Sequence, residues 1–147
     1  MARIESVDIF LVDLPPKTVR TDAVQSFERQ ETPIVRITDS DGAVGVGYSY
    51  TIGTGGSAVA RLLDEHLAPM LPGREAEDIE GLWRDLMYRV HATTVGALTS
   101  IALAAIAFGV LATWVSAINF WAWNMIGPLS TTYAGDMKLS ATQASML

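Results

Sequence analysis

The sequence predicts an α+β fold: a three-stranded antiparallel meander followed by a helix bundle, continued by one hydrophobic helix of transmembrane type. Three observations carry this. Alternating apolar residues broken by turn signals fill the first fifty positions, and apolar residues at helical spacing fill most of the next forty. From Val90 to Gly135 there is no Asp, Glu, Lys or Arg, whereas the first ninety residues hold nine basic and fifteen acidic side chains.

Ile4 to Leu14 alternates, with Val7, Ile9 and Leu11 on one face and Asp8, Phe10 and Val12 on the other. A period of two is the mark of a strand with one better-buried face. Pro15-Pro16 ends it, and Lys17 to Glu28, polar and without period, reads as a mobile loop. Pro33 to Thr38 is a second strand. Asp39-Ser40-Asp41-Gly42 is a turn, with Gly42 free to take positive φ. Ala43 to Tyr50 returns as a third strand, closing a hairpin.

Thr51 to Ser57 is a glycine-rich loop. Val59, Leu62, Leu63, His66, Leu67 and Met70 then recur at helical spacing, until Pro72-Gly73 stops the helix. Glu75, Glu77, Asp78 and Glu80 open the next helix, where acidic side chains suit the positive end of the dipole. Its expected buried stripe is Ile79, Leu82, Trp83, Leu86, Met87 and Val90. From Thr93 onward apolar residues surround the whole helix circumference, which requires deep burial or lipid. Nothing else in the chain is expected to be large enough to bury it. Membrane lipid, met through residues 98–127, is therefore the expected partner, since a spanning helix needs about 20 apolar residues. Gly127-Pro128 is expected to break that helix, Ser130 to Leu139 to form a loop, and Ser140-Ala141-Thr142-Gln143 to begin another helix.

The totals narrow the function classes. At 147 residues the chain cannot hold a complete TIM barrel, which takes about 250. With no cysteine it has no disulfide, thiolate metal site or cysteine nucleophile. A net charge of −6 argues against nucleic acid as a partner, because phosphate neutralisation needs clustered Lys and Arg. The start, Met1-Ala2-Arg3-Ile4-Glu5, has no apolar signal-peptide region, so the front is expected to fold in the cytoplasm. Arg74, Arg84 and Arg89 precede the apolar run and Lys138 follows it. The positive-inside rule then gives a single span with a cytoplasmic N-terminus. The alternative is a wholly cytoplasmic chain.

Few groups point to chemistry. Gly53-Thr54-Gly55-Gly56-Ser57 lies between strand and helix, but a phosphate loop would need a Lys before the Ser; a turn with a helix cap is the simpler reading. His66 and His91 each lack a second ligand at metal spacing, so both read as packed or exposed rather than catalytic. The acidic run Glu75–Glu80 lacks the alternating ligands and central glycine of a calcium loop and reads as a solvated helix start. Trp121 and Trp123 fit an interfacial aromatic belt, whereas Trp114 falls too near the middle of the run. Asn119 is the one strongly polar side chain deep in the span, where it would bond to another helix. No metal site is expected within the chain.

Two family resemblances follow from particular stretches. Ile4-Glu5-Ser6-Val7-Asp8-Ile9-Phe10, Pro33-Ile34-Val35-Arg36-Ile37, Asp41-Gly42-Ala43-Val44-Gly45-Val46-Gly47-Tyr48 and Ala97 to Ile106 make residues 1–106 resemble the N-terminal capping domain of the enolase superfamily, in its mandelate racemase and muconate-lactonizing branch. The resemblance implies a domain that closes the mouth of a catalytic barrel. Two specificity loops would lie near Pro16 to Ala23 and Ser49 to Gly56, with Lys17, Thr18, Arg20, Thr21, Tyr48, Tyr50, Thr51 and Thr54 as the substrate-capping residues. In that family Mg2+ and the acid/base Lys and His residues sit in the barrel, so no cofactor and no catalytic residue is implied for this chain. After Ile106 the sequence reads Ala107-Phe108-Gly109-Val110, and the family's acidic residue and Ala-Leu-Trp-Asp-like run do not appear.

Residues 107–147 look like the start of a major facilitator transporter, nearest the nitrate/nitrite branch. The carrying run is Asn119-Phe120-Trp121-Ala122-Trp123-Asn124-Met125-Ile126-Gly127-Pro128-Leu129, followed by Leu139-Ser140-Ala141-Thr142-Gln143. Together the resemblances imply a truncated or fused product: the cap of an acid-sugar dehydratase or racemase lineage, inactive without its barrel. The alternatives are a membrane-tethered binding or regulatory module, the N-terminal fragment of a transporter, or a cap that joins a separately encoded barrel. The exposed cap face, including Phe10 and Val12, is expected to invite association.

Overall fold

The computed structural model describes residues 2–93 and 96–136, with residues 118–136 as helix backbone. Ser140 to Gln143 lie outside the described residues, as do the side chains of Asn119, Trp121 and Trp123. The architecture is α+β, as the sequence predicts. The strands are β1 (Ile4–Leu14), β2 (Arg20–Thr21), β3 (Ser26–Phe27), β4 (Gln30–Asp39), β5 (Val44–Tyr48) and β6 (Thr51–Ile52). The helices are α1 (Gly56–Leu62), α2 (Ile79–Arg89) and α3 (Ala97–Asp136).

The main sheet runs β1-β4-β5, all antiparallel, with β6 pairing the start of β4. Register sorts the side chains by face. Val7, Ile9 and Leu11 stand opposite Ile37, Val35 and Pro33, and these in turn meet Gly45 and Gly47 on β5. This is the inner face, on which Val35 and Ile37 are fully buried. The outer face carries Asp8, Phe10, Arg36, Ile34, Val46 and Tyr48. There Arg36 donates to Asp8 at 2.9 Å and stacks over the Phe10 ring, 5.3 Å from its centroid. Such exposed ion pairs contribute little, about 0–1 kcal/mol.

The turn between β4 and β5 is held by the Asp39 carboxylate, which accepts the backbone N–H groups of Asp41 and Ala43. Gly42 takes φ +82° there, a conformation open to glycine without the Cβ clash.

After α1 the chain widens into a π turn at Leu63–Leu67 and tightens into a 3-10 turn at Ala68–Met70. The reason lies in spacing. Val59, Leu63, Leu67 and Leu71 are all fully buried, at a strict interval of four. On a regular helix that stripe drifts by about 40° per step, because a turn takes 3.6 residues. The wider π turn brings it back to the core. His66, expected on this stripe, is exposed instead. On α2, Leu82, Leu86 and Val90 are buried, but Trp83, which lines a small cleft between α2 and α3, is 40% exposed. Asp78 caps α2 by accepting the N–H of Gly81 at 3.1 Å, and a Cβ at Gly81 would overlap that carboxylate.

Three further expectations change. Lys17 to Glu28 is not featureless: β2 and β3 form a small ribbon around Asp22, whose carboxylate accepts the N–H groups of Val24 and Gln25. The helix does not break at Gly127-Pro128, and no loop begins at Ser130, since α3 continues to Asp136. An internal proline costs one backbone bond and about 3 kcal/mol, which leaves the flanking turns free to stay helical. The third change concerns α3 itself. Its first half is buried by the protein: Ala102, Leu103, Ala105, Ile106, Val110 and Thr113 are at most 2% exposed. The sheet supplies the missing partner. Gly45 and Gly47 remove the side chains from the inner face of β5, and α3 settles backbone to backbone on them at Ala105, Gly109 and Thr113. The Thr113 hydroxyl, buried in that seam, donates to the Gly109 carbonyl at 2.9 Å.

Candidate functional site

The two expected capping loops meet at one end of the sheet. Pro15-Pro16 stops β1, so the chain turns off the sheet into the β2–β3 ribbon. On the other side, β5 runs through Ser49 and Tyr50 into β6, which pairs with Gln30 and Glu31. Between them lies a cleft of about 450 Å3. Lys17, Thr18, Arg20 and Tyr50, all expected from the sequence, line it. Phe27, Arg29 and Ile52, not expected, line it as well. These last are supplied by the ribbon and by β6, and neither element has a periodic pattern long enough to be read from sequence.

The cleft is positively charged in an acidic chain. Arg29 donates to Asp13 from Nε at 2.9 Å, and that hydrogen bond raises the already high pKa of the guanidinium. Lys17 and Arg20 pair with no carboxylate among the described residues. Two unpaired cations beside a tyrosine and a phenylalanine form a surface that can hold a carboxylate and the apolar edge of a sugar.

The remaining expected residues are placed elsewhere. Thr21 sits on β2, with its hydroxyl 3.2 Å from that of Ser26. Tyr48 faces a second, apolar cleft beside α3. Thr51 is buried, and its hydroxyl donates to Glu31 at 3.2 Å. Thr54 is exposed in the glycine-rich turn. The same Glu31 oxygen accepts the N–H of Gly56 at 3.0 Å. Glu31 therefore ties the Ser49–Gly56 loop to β4 and faces the start of α1 with a carboxylate, leaving no room there for an anion. A lone Glu in a strand gives no sequence signal for this role.

Magnesium does not fit the residues present. Among the described residues no group of three or more His, Cys, Asp or Glu converges on one point. Two members of the acidic run are engaged otherwise, Asp78 as the cap of α2 and Glu75 as a partner of Arg3, and nearby Asp85 pairs with Arg74 at 2.8 Å. His91 donates from Nδ1 to the Tyr88 carbonyl and finishes a helix.

Comparison with known proteins agrees with this fold. Residues 6–114 match the model of the mandelate racemase / muconate lactonizing enzyme N-terminal domain. Over 97% of its length the chain is 33% identical to 3,6-anhydro-alpha-L-galactonate cycloisomerase of Streptomyces coelicolor, of which it spans 41%. A racemase from Streptomyces coelicolor with bound magnesium superposes with a TM-score of 0.70 at 38% identity, over 77% of this chain and 31% of that one. L-Talarate dehydratase from Polaromonas sp., complexed with Mg and L-glucarate, superposes with a TM-score of 0.69 at 26% identity, over 79% of this chain and 32% of the other. A stretch of 38 residues, 26% of the chain, is 71% identical to "Probable nitrate/nitrite transporter NarK2" of Mycobacterium tuberculosis, of which it spans 10%. The chain belongs to the mandelate racemase / muconate lactonizing enzyme N-terminal domain family.

Proposed function

We propose that residues 1–114 are the substrate-capping domain of an enolase-superfamily enzyme that transforms an acid sugar. The observation that carries this reading is the cleft where Lys17 and Arg20 stand unpaired beside Tyr50, between the two loops. An aldonate or aldarate offers a carboxylate to the cations and hydroxyls to Thr18 and Tyr50. The names of the relatives, a cycloisomerase and an aldarate dehydratase, support that substrate class. The abstraction of a proton beside the carboxylate, with magnesium holding the resulting charge, would fall to a barrel domain. This chain contributes orientation and exclusion of water. Alone, it is catalytically silent.

A chimera tests this. Residues 1–114 replace the corresponding cap of the Streptomyces cycloisomerase, and turnover is measured with magnesium and an acid-sugar panel. Turnover of an acid sugar, lost when Lys17 and Arg20 are both changed to Ala, supports the reading. A folded chimera with turnover indifferent to those residues contradicts it.

The 38-residue likeness to a transporter supports a second element of the proposal: the cap is joined to a segment of transporter origin.

A further inference from the structure

We infer that the cleft between the two loops reads the far end of a dicarboxylate: Lys17 and Arg20 hold the carboxylate of an aldarate that lies away from the reacting carbon. This rests on the proposed capping function and adds which acid sugar fits and which end of it this chain holds. Of the basic side chains described, Arg3, Arg29, Arg36, Arg61, Arg74 and Arg84 each pair with a carboxylate. Lys17, Arg20 and Arg89 do not, and the first two line one cleft. Among the described residues no Asp or Glu lines that cleft. In a chain with a net charge of −6, free positive charge gathered at one place makes a local field that draws an anion.

A third cation in the cleft is already answered. Arg29 donates from both Nε and Nη2 to Asp13, so the anion site is Lys17 with Arg20. A guanidinium binds the two oxygens of a carboxylate side by side, and an ammonium adds charge without a fixed geometry. Phe27 and Ile52 give the cleft apolar surface, and Thr18 and Gln30 give it polar groups, which suits a carbon chain bearing hydroxyls. A phosphate ester fits less well. Phosphates favour free N–H groups at a helix start, and the N–H of Gly56, where α1 begins, is held by the Glu31 carboxylate at 3.0 Å.

The chemistry decides which carboxylate this is. In the proposed reaction the proton leaves the carbon beside one carboxylate. That carboxylate has to lie with the barrel groups that take the proton, on the far side of the substrate from the cap. One carboxylate cannot occupy both places. An aldonate would set only hydroxyls against Lys17 and Arg20, and two cations drawn out of water against neutral oxygen are costly. An aldarate sets its second carboxylate there. The chain thereby parts from the cycloisomerase it matches, whose named galactonate carries a single carboxylate. It aligns instead with the dehydratase complexed with L-glucarate.

Two measurements separate this inference from the capping function. The full chain, in neutral detergent and metal-free buffer at constant ionic strength, is titrated with glucarate and with glucitol. Glucarate should shift the backbone amide signals of Lys17, Thr18 and Arg20 saturably, and glucitol should not. The shifts should vanish when Lys17→Ala and Arg20→Ala are combined. No saturable shift, or one that survives both substitutions, would overturn the anion site. The chimeric enzyme then reports which end is held, from kcat/KM for glucarate against gluconate and galactarate against galactonate. The aldarate should be favoured, and the two substitutions together should shrink the aldarate-to-aldonate ratio by about tenfold or more, the loss of one charge-assisted contact. A ratio left unchanged while both acids slow would overturn the far-end assignment and leave the capping function standing. Preference for a 6-phosphoaldonate would overturn the choice of carboxylate. A folded chimera inactive on every acid sugar would overturn the capping function, and this inference with it.

Discussion

Gly47 on β5 and Gly109 on α3 meet backbone to backbone: a Cβ added at Gly47 would overlap Gly109 and the Ala105 carbonyl. This single approach ties the apolar helix to the sheet. The first prediction follows from it. Gly47→Ala forces α3 off the strand and should cost about 1–3 kcal/mol by overpacking. Gly96→Ala, where nothing lies within 4 Å, should be near neutral. Denaturant unfolding of the full chain in detergent distinguishes the two, and equal stability would contradict the seam.

Glu31 should act as the latch of the Ser49–Gly56 loop. Glu31→Ala removes the acceptor for Thr51 and Gly56, and the loss of a cap of this kind costs about 1 kcal/mol. Amide exchange at Gly56 should accelerate several-fold while β4 and β5 remain protected. Unchanged exchange at Gly56 would count against the latch.

Asp22 should make the β2–β3 ribbon sensitive to acid. Backbone N–H bonds from Gln25 and Val24 lower its pKa from 3.8. A depressed folded value means that the ionised carboxylate favours the closed ribbon above pH 3.8, and that this contribution fades as the pH falls through the lower folded value. A carboxyl titration followed by NMR should place Asp22 below 3.8. A value above it would mean that the turn is open in solution.

Lys17 and Arg20 should act on substrate affinity. In the chimeric enzyme, Arg20→Ala removes one charge-assisted contact, about 1.5–3 kcal/mol, so KM should rise at least tenfold. Added salt should weaken the unmodified chimera in the same direction. A fall in kcat with KM unchanged would assign Arg20 a different role.

The cap should lie on the cytoplasmic side. Arg74, Arg84 and Arg89 precede the span and Lys138 follows it, the asymmetry that orients membrane helices. Protease added to spheroplasts should spare the cap, and protease added to inverted vesicles should digest it. The reverse pattern would invert the assigned topology.

Much of the fold was legible because period and punctuation are local. β1, the β4–β5 hairpin, and the Leu82, Leu86 and Val90 stripe follow from alternation, from Asp41-Gly42 and from helical spacing. The cleft was half legible: Lys17, Thr18, Arg20 and Tyr50 come from the loops implied by resemblance, whereas Phe27, Arg29 and Ile52 depend on pairings of two residues that carry no pattern. The burial of α3 was hidden for a different reason. Gly45 and Gly47 read only as part of the third strand, and their function, leaving space for a helix backbone, exists only once the sheet and helix are together. Composition alone cannot tell that helix from one in lipid, because both are apolar on every side. Trp83 and His66 were misplaced because a face a few residues wide leaves its edges ambiguous, and because the π turn re-phases the stripe after Leu62.

The central claim is that α3 is the core helix of the cap before it is anything else. The most direct measurement is an NMR search for nuclear Overhauser contacts between Gly47 and Gly109 in the full chain in lipid micelles. Contacts between these glycines are the predicted result. Absence of the glycine contacts, with lipid contacts along the whole of residues 98–127, would contradict it.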